Sequence, residues 1–121
     1  MAYFSKKSLD KLFSCEADLI HLWTEYIKYY DCRIDWGFRN EQEQNALYDE
    51  KKSKVKWPDS AHNRMPSRAV DVVPLPFKEK DWDNREMWKE FRGRIYMLAD
   101  ILGIKLKPTI QWDLMHFELD K

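Results

Sequence analysis

The sequence predicts a single α+β domain spanning residues 1–121, and three observations carry that expectation. Apolar residues recur at helical spacing in two long stretches, one before residue 31 and one after residue 83. Between and beyond them lie short segments of strand-forming residues, bounded by Gly or Pro. A chain of 121 residues is also the size of one domain with one core.

Over 17–30, Leu19, Ile20, Trp23, Ile27 and Tyr30 share a helical face, which predicts the first long helix. Residues 32–38, CRIDWGF, read as a strand or extended piece ending at Gly37. Asn40 followed by Glu43 has the spacing of a reciprocal N-terminal cap, so a short helix is expected from there to about Lys51. Residues 52–67 are polar, contain Pro58 and Pro66, and predict a loop. RAVDVVPLP follows as a strand stopped by Pro74 and Pro76. Asp83 is expected to cap the second long helix, whose Trp88, Phe91, Ile95, Leu98 and Leu102 make an apolar stripe. Gly103 stands where a helix C-cap belongs. A Pro-bearing connection, IKLKPTIQW, then leads into the last strand, HFEL. Both helical stripes read as core.

Charge excludes some functions. Lys plus Arg equals Asp plus Glu at 21 each, so no net charge points to nucleic acid or a membrane as partner. No stretch approaches the ~18 apolar residues of a membrane-spanning helix. Charges within the first 13 residues interrupt any signal-peptide core, so manufacture in the cytoplasm without a signal peptide is expected. Cys15 and Cys32 are too far apart for a CxxC pair; spacing leaves a bridge between them open, and two buried thiols are the favoured expectation.

Chemistry concentrates in two clusters. Asp71 lies inside Ala-Val-Asp-Val-Val, where a carboxylate is costly to bury unless paired or metal-bound. Alternation sets Ala69, Asp71 and Val73 on one face and Val70 and Val72 on the other. From this segment alone, a carboxylate at a sheet edge facing water competes with that reading. In the terminal strand His116 and Glu118 share one face, while Phe117 and Leu119 take the core side. Asp113 reaches the same centre as His116 only if residues 113–115 form a turn or bulge. Taken alone, an exposed Asp and a core-edge His are the favoured explanation of that pair, because Asp is common enough in this chain for such spacings to arise by chance. Together the clusters supply two imidazoles and a carboxylate, His62, Asp71 and His116, the ligand inventory of a catalytic zinc site. Asp113 is then the candidate general base, and Arg39 the candidate cation for an oxyanion. His21, one residue off the first helix's stripe, reads as structural.

SAHNRMPSRAVDVVP followed by DLMHFEL resembles a family of zinc peptidases. The family includes the D-alanyl-D-alanine dipeptidases and carboxypeptidases of vancomycin resistance and the L-alanyl-D-glutamate endopeptidases used as phage endolysins. Ser60, His62, Ala69, Asp71, Asp113 and His116 occupy its Ser-x-His, Ala-x-Asp and Asp-x-x-His positions. Upstream, FSKKSLDKL and GFRNEQEQNALYDEKKSKVKWPDSAHN look like the phage branch's Gly-x-Arg, Glu-x-Gln-Asn and Ser-Lys elements, so the resemblance covers nearly the whole chain.

The resemblance implies a small antiparallel sheet packed with two long helices, with the zinc site at the sheet, as in Hedgehog/D-Ala-D-Ala peptidase-like folds. It implies Zn2+ held by His62, Asp71 and His116, with Asp113 as general base and Arg39 at the oxyanion. Ser60, Gln44 and Trp112 match or adjoin motif positions and are carried over as substrate-side residues. The implied substrate is the peptidoglycan stem peptide, reached by a monomer released to the cell wall through a holin-type pore. L-alanyl-D-glutamate cleavage is favoured by the upstream elements. A D,D- or L,D-carboxypeptidase is the alternative, as is a metal-stabilised binding module with weak catalysis. Two departures stand out. The His62–Asp71 gap is longer than in the dipeptidases, as in a phage-type subgroup with HN-x-x-PSRAVD, and segment 104–112 is shorter than usual, which trims the cleft beside Asp113.

Overall fold

A computed structural model describes residues 2–108 and 112–121. Ser5 opens the first helix, α1 (Lys6–Leu12), by accepting a hydrogen bond from the Ser8 amide at 3.1 Å. The sequence reading placed no element there, because seven residues are too few for a periodic pattern to stand out. Helix α2 (Ala17–Tyr26) stops short of the expected residue 30. Tyr29 and Tyr30 are exposed, so no apolar anchor extends the helix, and the chain turns into strand β1 (Cys32–Trp36).

Helix α3 (Glu41–Asp49) begins as expected, with the Asn40 and Glu43 side chains capping each other's backbone amides. The expected loop contains a single 3-10 turn, Ala61–Asn63, and leads to strand β2 (Ala69–Pro74). A second 3-10 turn, Glu79–Asp83, absorbs the residue expected to cap the long helix α4 (Arg85–Leu102). Asn84 is the cap instead, its Oδ1 accepting from the Met87 amide at 3.1 Å. Gly103 ends α4 in the left-handed region at φ 74°. Both expected helices are present on the small antiparallel sheet, α4 with 18 residues and α2 shorter than expected with 10. The connection 104–112 lies partly outside the described residues; within it Leu106 bridges to Leu119, beside strand β3 (His116–Glu118).

The three strands form an antiparallel sheet in the order β1-β2-β3, with β2 in the centre. All six residues of β2 are buried. The core gathers Val70 and Val72 with Trp23, Phe91, Ile95 and Phe117 from α2, α4 and β3. Trp23 meets Phe117 edge-on at 5.3 Å, and each such buried side chain stabilises the fold by about 1.5–3 kcal/mol. Cys15 and Cys32 are free, buried thiols, and burial pushes Cys15 up to about 12. Among the described residues no helix is long and apolar enough to cross a membrane.

Candidate metal centre

Central placement in the sheet decides the environment of Asp71. Its neighbours across the strands are Trp36 on one side and His116 on the other, and it is only 2% exposed. The sheet-edge alternative is therefore excluded. A carboxylate here needs compensating partners, and it has three.

His62 arrives from the 3-10 turn Ala61–Asn63. Ser60 caps that turn by accepting from the His62 amide at 3.2 Å, and Asn63 Oδ1 returns a bond from the Ser60 amide at 3.0 Å. The Arg39 amide donates to the His62 carbonyl at 2.8 Å, tying the turn to the segment after β1. His116 opens β3, and its amide reaches the Asp113 carbonyl at 3.2 Å. That is the turn the sequence required if Asp113 and His116 were to face one centre.

The three side chains converge on one point. His116 Nδ1 lies 3.2 Å from Asp71 Oδ1, and His62 Nε2 lies 3.3 Å from each of those atoms. Each imidazole has its other nitrogen engaged: His62 Nδ1 with the Gly37 carbonyl at 2.8 Å, His116 Nε2 with Glu118 Oε1 at 3.0 Å. Both outer partners are acceptors, so each ring's proton belongs there, and the inner nitrogens turn lone pairs toward Asp71. Lone pairs and a carboxylate oxygen facing one another repel unless a cation or an added proton sits among them. The triangle fits a metal. A tetrahedral ion bonded at about 2.0–2.1 Å to each ligand sets the ligand atoms about 3.3–3.4 Å apart. His62, Asp71 and His116 are thus a group able to hold a metal ion.

Electrostatics in the metal-free chain express the same crowding. Burial acts to raise Asp71, but the charge of His62, bonds from both imidazoles and the charge of Arg39 hold it well below the usual carboxylate range. Burial opposes a charged His116, yet its bonds to Asp71 and Glu118 prevail and push it up to about 9. Asp113 Oδ2 lies 3.9 Å from His116 Nδ1, and burial followed by the nearby Asp71 charge raises its carboxyl.

Arg39 is buried and donates from Nη2 to Asp71 Oδ2 at 2.7 Å. Asp71 therefore offers one oxygen to the imidazoles and the other to Arg39. Asp113, Arg39 and Trp112 line a cleft of about 550 Å³ beside the triangle. Trp112 is 60% exposed at that cleft.

Gln44 and Ser60 differ from the expected substrate-side placement. Gln44 is wholly buried: its Oε1 accepts from Arg39 and Asn63, and its Nε2 donates to Ser53 Oγ at 2.9 Å and the Val55 carbonyl at 2.7 Å. It positions Arg39 and the 53–55 segment, and Ser60 positions His62. His21 is exposed on α2, away from the site. The sequence reading missed Arg92, buried on α4, which donates from Nη1 to the Leu114 carbonyl and to the His116 carbonyl at 2.9 Å. No sequence signal marks it, since its neighbour Phe91 carries the stripe. Glu118 was legible as sharing a strand face with His116, though its bond to the ring was not.

An α+β domain that gathers two imidazoles, a buried carboxylate, a second carboxylate and an arginine beside one cleft has the groups for hydrolysis at a metal. The profile of the phage L-alanyl-D-glutamate peptidase family matches residues 1–119, and the chain belongs to that family. It is thus a peptidase of the phage L-alanyl-D-glutamate type, and its substrate is peptidoglycan. No curated protein matches the chain in sequence. The fold is similar to the crystal structure of the Serratia marcescens L-Ala D-Glu endopeptidase ChiX, with a TM-score of 0.73 at 20% identity, covering 98% of this chain and 90% of that one.

Proposed function

We propose that the peptidase works with Zn2+ held by His62, Asp71 and His116, that Asp113 is its general base, and that Arg39 meets the negative charge of the transition state. The observation that carries this reading is the 3.2–3.3 Å triangle, in which each ring's outer nitrogen is held from behind by an acceptor. Two nitrogens and one oxygen are the ligand types of catalytic zinc sites that keep a fourth position open. When bound there, zinc supplies Lewis acidity toward a carbonyl oxygen and acidifies water.

The chain's own residues do the rest. The raised carboxyl of Asp113 holds a proton more tightly than an ordinary aspartate, so it takes one from the attacking water and returns it to the departing amine. Arg39, fixed by Asp71 and Gln44, places a buried positive charge at the cleft wall for the charge that develops on the carbonyl oxygen. Glu118 and the Gly37 carbonyl hold the imidazole tautomers in place.

Asp113→Ala is expected to lower turnover of purified peptidoglycan by about 10²–10⁴-fold while zinc content stays near that of the unaltered chain. Retained turnover would remove Asp113 from this role. Mass spectrometry of the muropeptides names the bond: new D-glutamate amino termini are expected, whereas release of free D-alanine would indicate a carboxypeptidase.

A further inference from the structure

The cleft beside Asp113 carries a feature that hydrolysis itself does not use. Lys51, Lys52 and Lys54 line it together with Arg39, Trp112 and Asp113. The lysines that form ion pairs, Lys6, Lys28, Lys107 and Lys121, do so with other carboxylates. None of the three cleft lysines has a carboxylate partner among the described residues. Overall composition does not explain this, because acidic and basic residues balance at 21 each. Asp49 and Glu50 directly precede the lysines in sequence but are not part of the lining.

The lysines sit on a fixed scaffold. Past the end of α3, Lys51 takes the left-handed conformation at φ 62°, and the Lys52 amide donates to the Leu47 carbonyl at 2.8 Å. Buried Gln44 grips the chain on both sides of Lys54, through Ser53 Oγ and the Val55 carbonyl, while its other end touches Arg39. The Lys54 ammonium rests over the Trp112 ring, 4.2 Å from its centroid. One amide therefore couples the lysine segment to the arginine at the reacting centre.

Cations without a carboxylate partner that line the same cleft as Arg39 and Asp113 select for an anion on the substrate. In a stem peptide, D-glutamate is linked onward through its γ-carboxyl and keeps a free α-carboxylate. That carboxylate is attached to the carbon that bears the scissile nitrogen, so it must lie within a few ångströms of the reacting atoms. We propose that Lys54, supported by Lys51 and Lys52, binds this α-carboxylate and thereby selects stem peptides whose D-glutamate is not amidated. The assignment rests on His62, Asp71, His116 and Asp113 being the reacting centre.

The test uses the zinc-loaded chain and two soluble muramyl peptides that differ only in D-glutamate versus D-isoglutamine. A charged hydrogen bond, discounted for exposure of the lysine, corresponds to a preference of about 10-fold in kcat/KM for the carboxylate form. Lys54→Gln is expected to lose most of that preference, and the triple variant K51Q/K52Q/K54Q to bring the ratio near one. Both variants should cleave the amidated peptide like the unaltered chain. Raising the salt should also narrow the ratio in the unaltered chain, because the lysines are partly solvated. An unaltered chain without preference, or variants that lose both substrates equally, would overturn the assignment. Retained turnover in Asp113→Ala would instead overturn the reading of the centre, so the two failures are separable.

Discussion

Replacing Arg92 by Met removes a buried charge while keeping an apolar stem over Phe117, whose ring the guanidinium covers at 4.3 Å. In the native chain that guanidinium holds the carbonyls of Leu114 and His116 and donates to Tyr96 at 3.2 Å. Those two carbonyls lie within and at the end of the 113–116 turn that delivers Asp113 and His116. A hydrogen bond from a charged donor contributes about 1.5–3 kcal/mol, so the two carbonyl bonds together hold about 3–6 kcal/mol. Burial opposes the charge, as the lowered Arg92 value indicates, and relief of that penalty offsets part of the loss. A net destabilisation of about 2–4 kcal/mol is expected, measured by denaturant unfolding of the metal-free chain. Because the turn sets the direction of His116, zinc affinity should also fall by about 10–100-fold, as when other supports of metal ligands are removed. A competition titration with a chromogenic chelator measures it. If R92M unfolds at the same denaturant concentration and competes for zinc as well as the unaltered chain, the clamp does not exist.

Three further outcomes follow from particular contacts. A Cβ at Gly37 would lie 2.1 Å from the Lys11 carbonyl oxygen, so Gly37→Ala must shift the backbone whose carbonyl holds His62. It is expected to destabilise by about 1–3 kcal/mol and to shrink the rise in Tm that zinc produces. In the metal-free chain His116 holds its proton up to a pH of about 9, but only the neutral ring binds metal. Zinc binding at pH 7 should therefore release about one proton, and affinity should rise with pH until about 9. Calorimetry in buffers of different ionisation enthalpy reads the proton directly, and binding without release would refute it. Gln44→Leu removes one bond each from the Val55 carbonyl, Ser53 Oγ and the Asn63 side-chain amide, although Val55 keeps Ser53 and Asn63 keeps the Arg39 carbonyl, and it costs about 1–3 kcal/mol of stability. Kinetics should show KM for the carboxylate-bearing peptide rising more than kcat falls, because the lysine segment loosens.

Local signals were legible where neighbours in sequence decide the outcome. The Asn40–Glu43 cap, the left-handed Gly103 and the stripe of α4 satisfy backbone groups or bury side chains within a few residues of each other, so the pattern contains its own cause. The metal triad was legible too, but through its resemblance to a family rather than through geometry. Spacing alone left Asp71 free to face water at a sheet edge. Only pairing to β1 and β3 placed it in the centre, between Trp36 and His116. The choice of Asn84 over Asp83 as helix cap depended on the 3-10 turn Glu79–Asp83, which no apolar periodicity marks. Gln44, Arg92 and the cleft lysines gained their roles from partners far along the chain: Gln44 from Asn63, Arg92 from the 113–116 turn, Lys54 from Trp112. A sequence lists hydrogen-bonding groups but not the distances between them. Which buried donor meets which orphan carbonyl is settled only when the sheet and helices close, since an unmet polar group is costly only once water has been excluded.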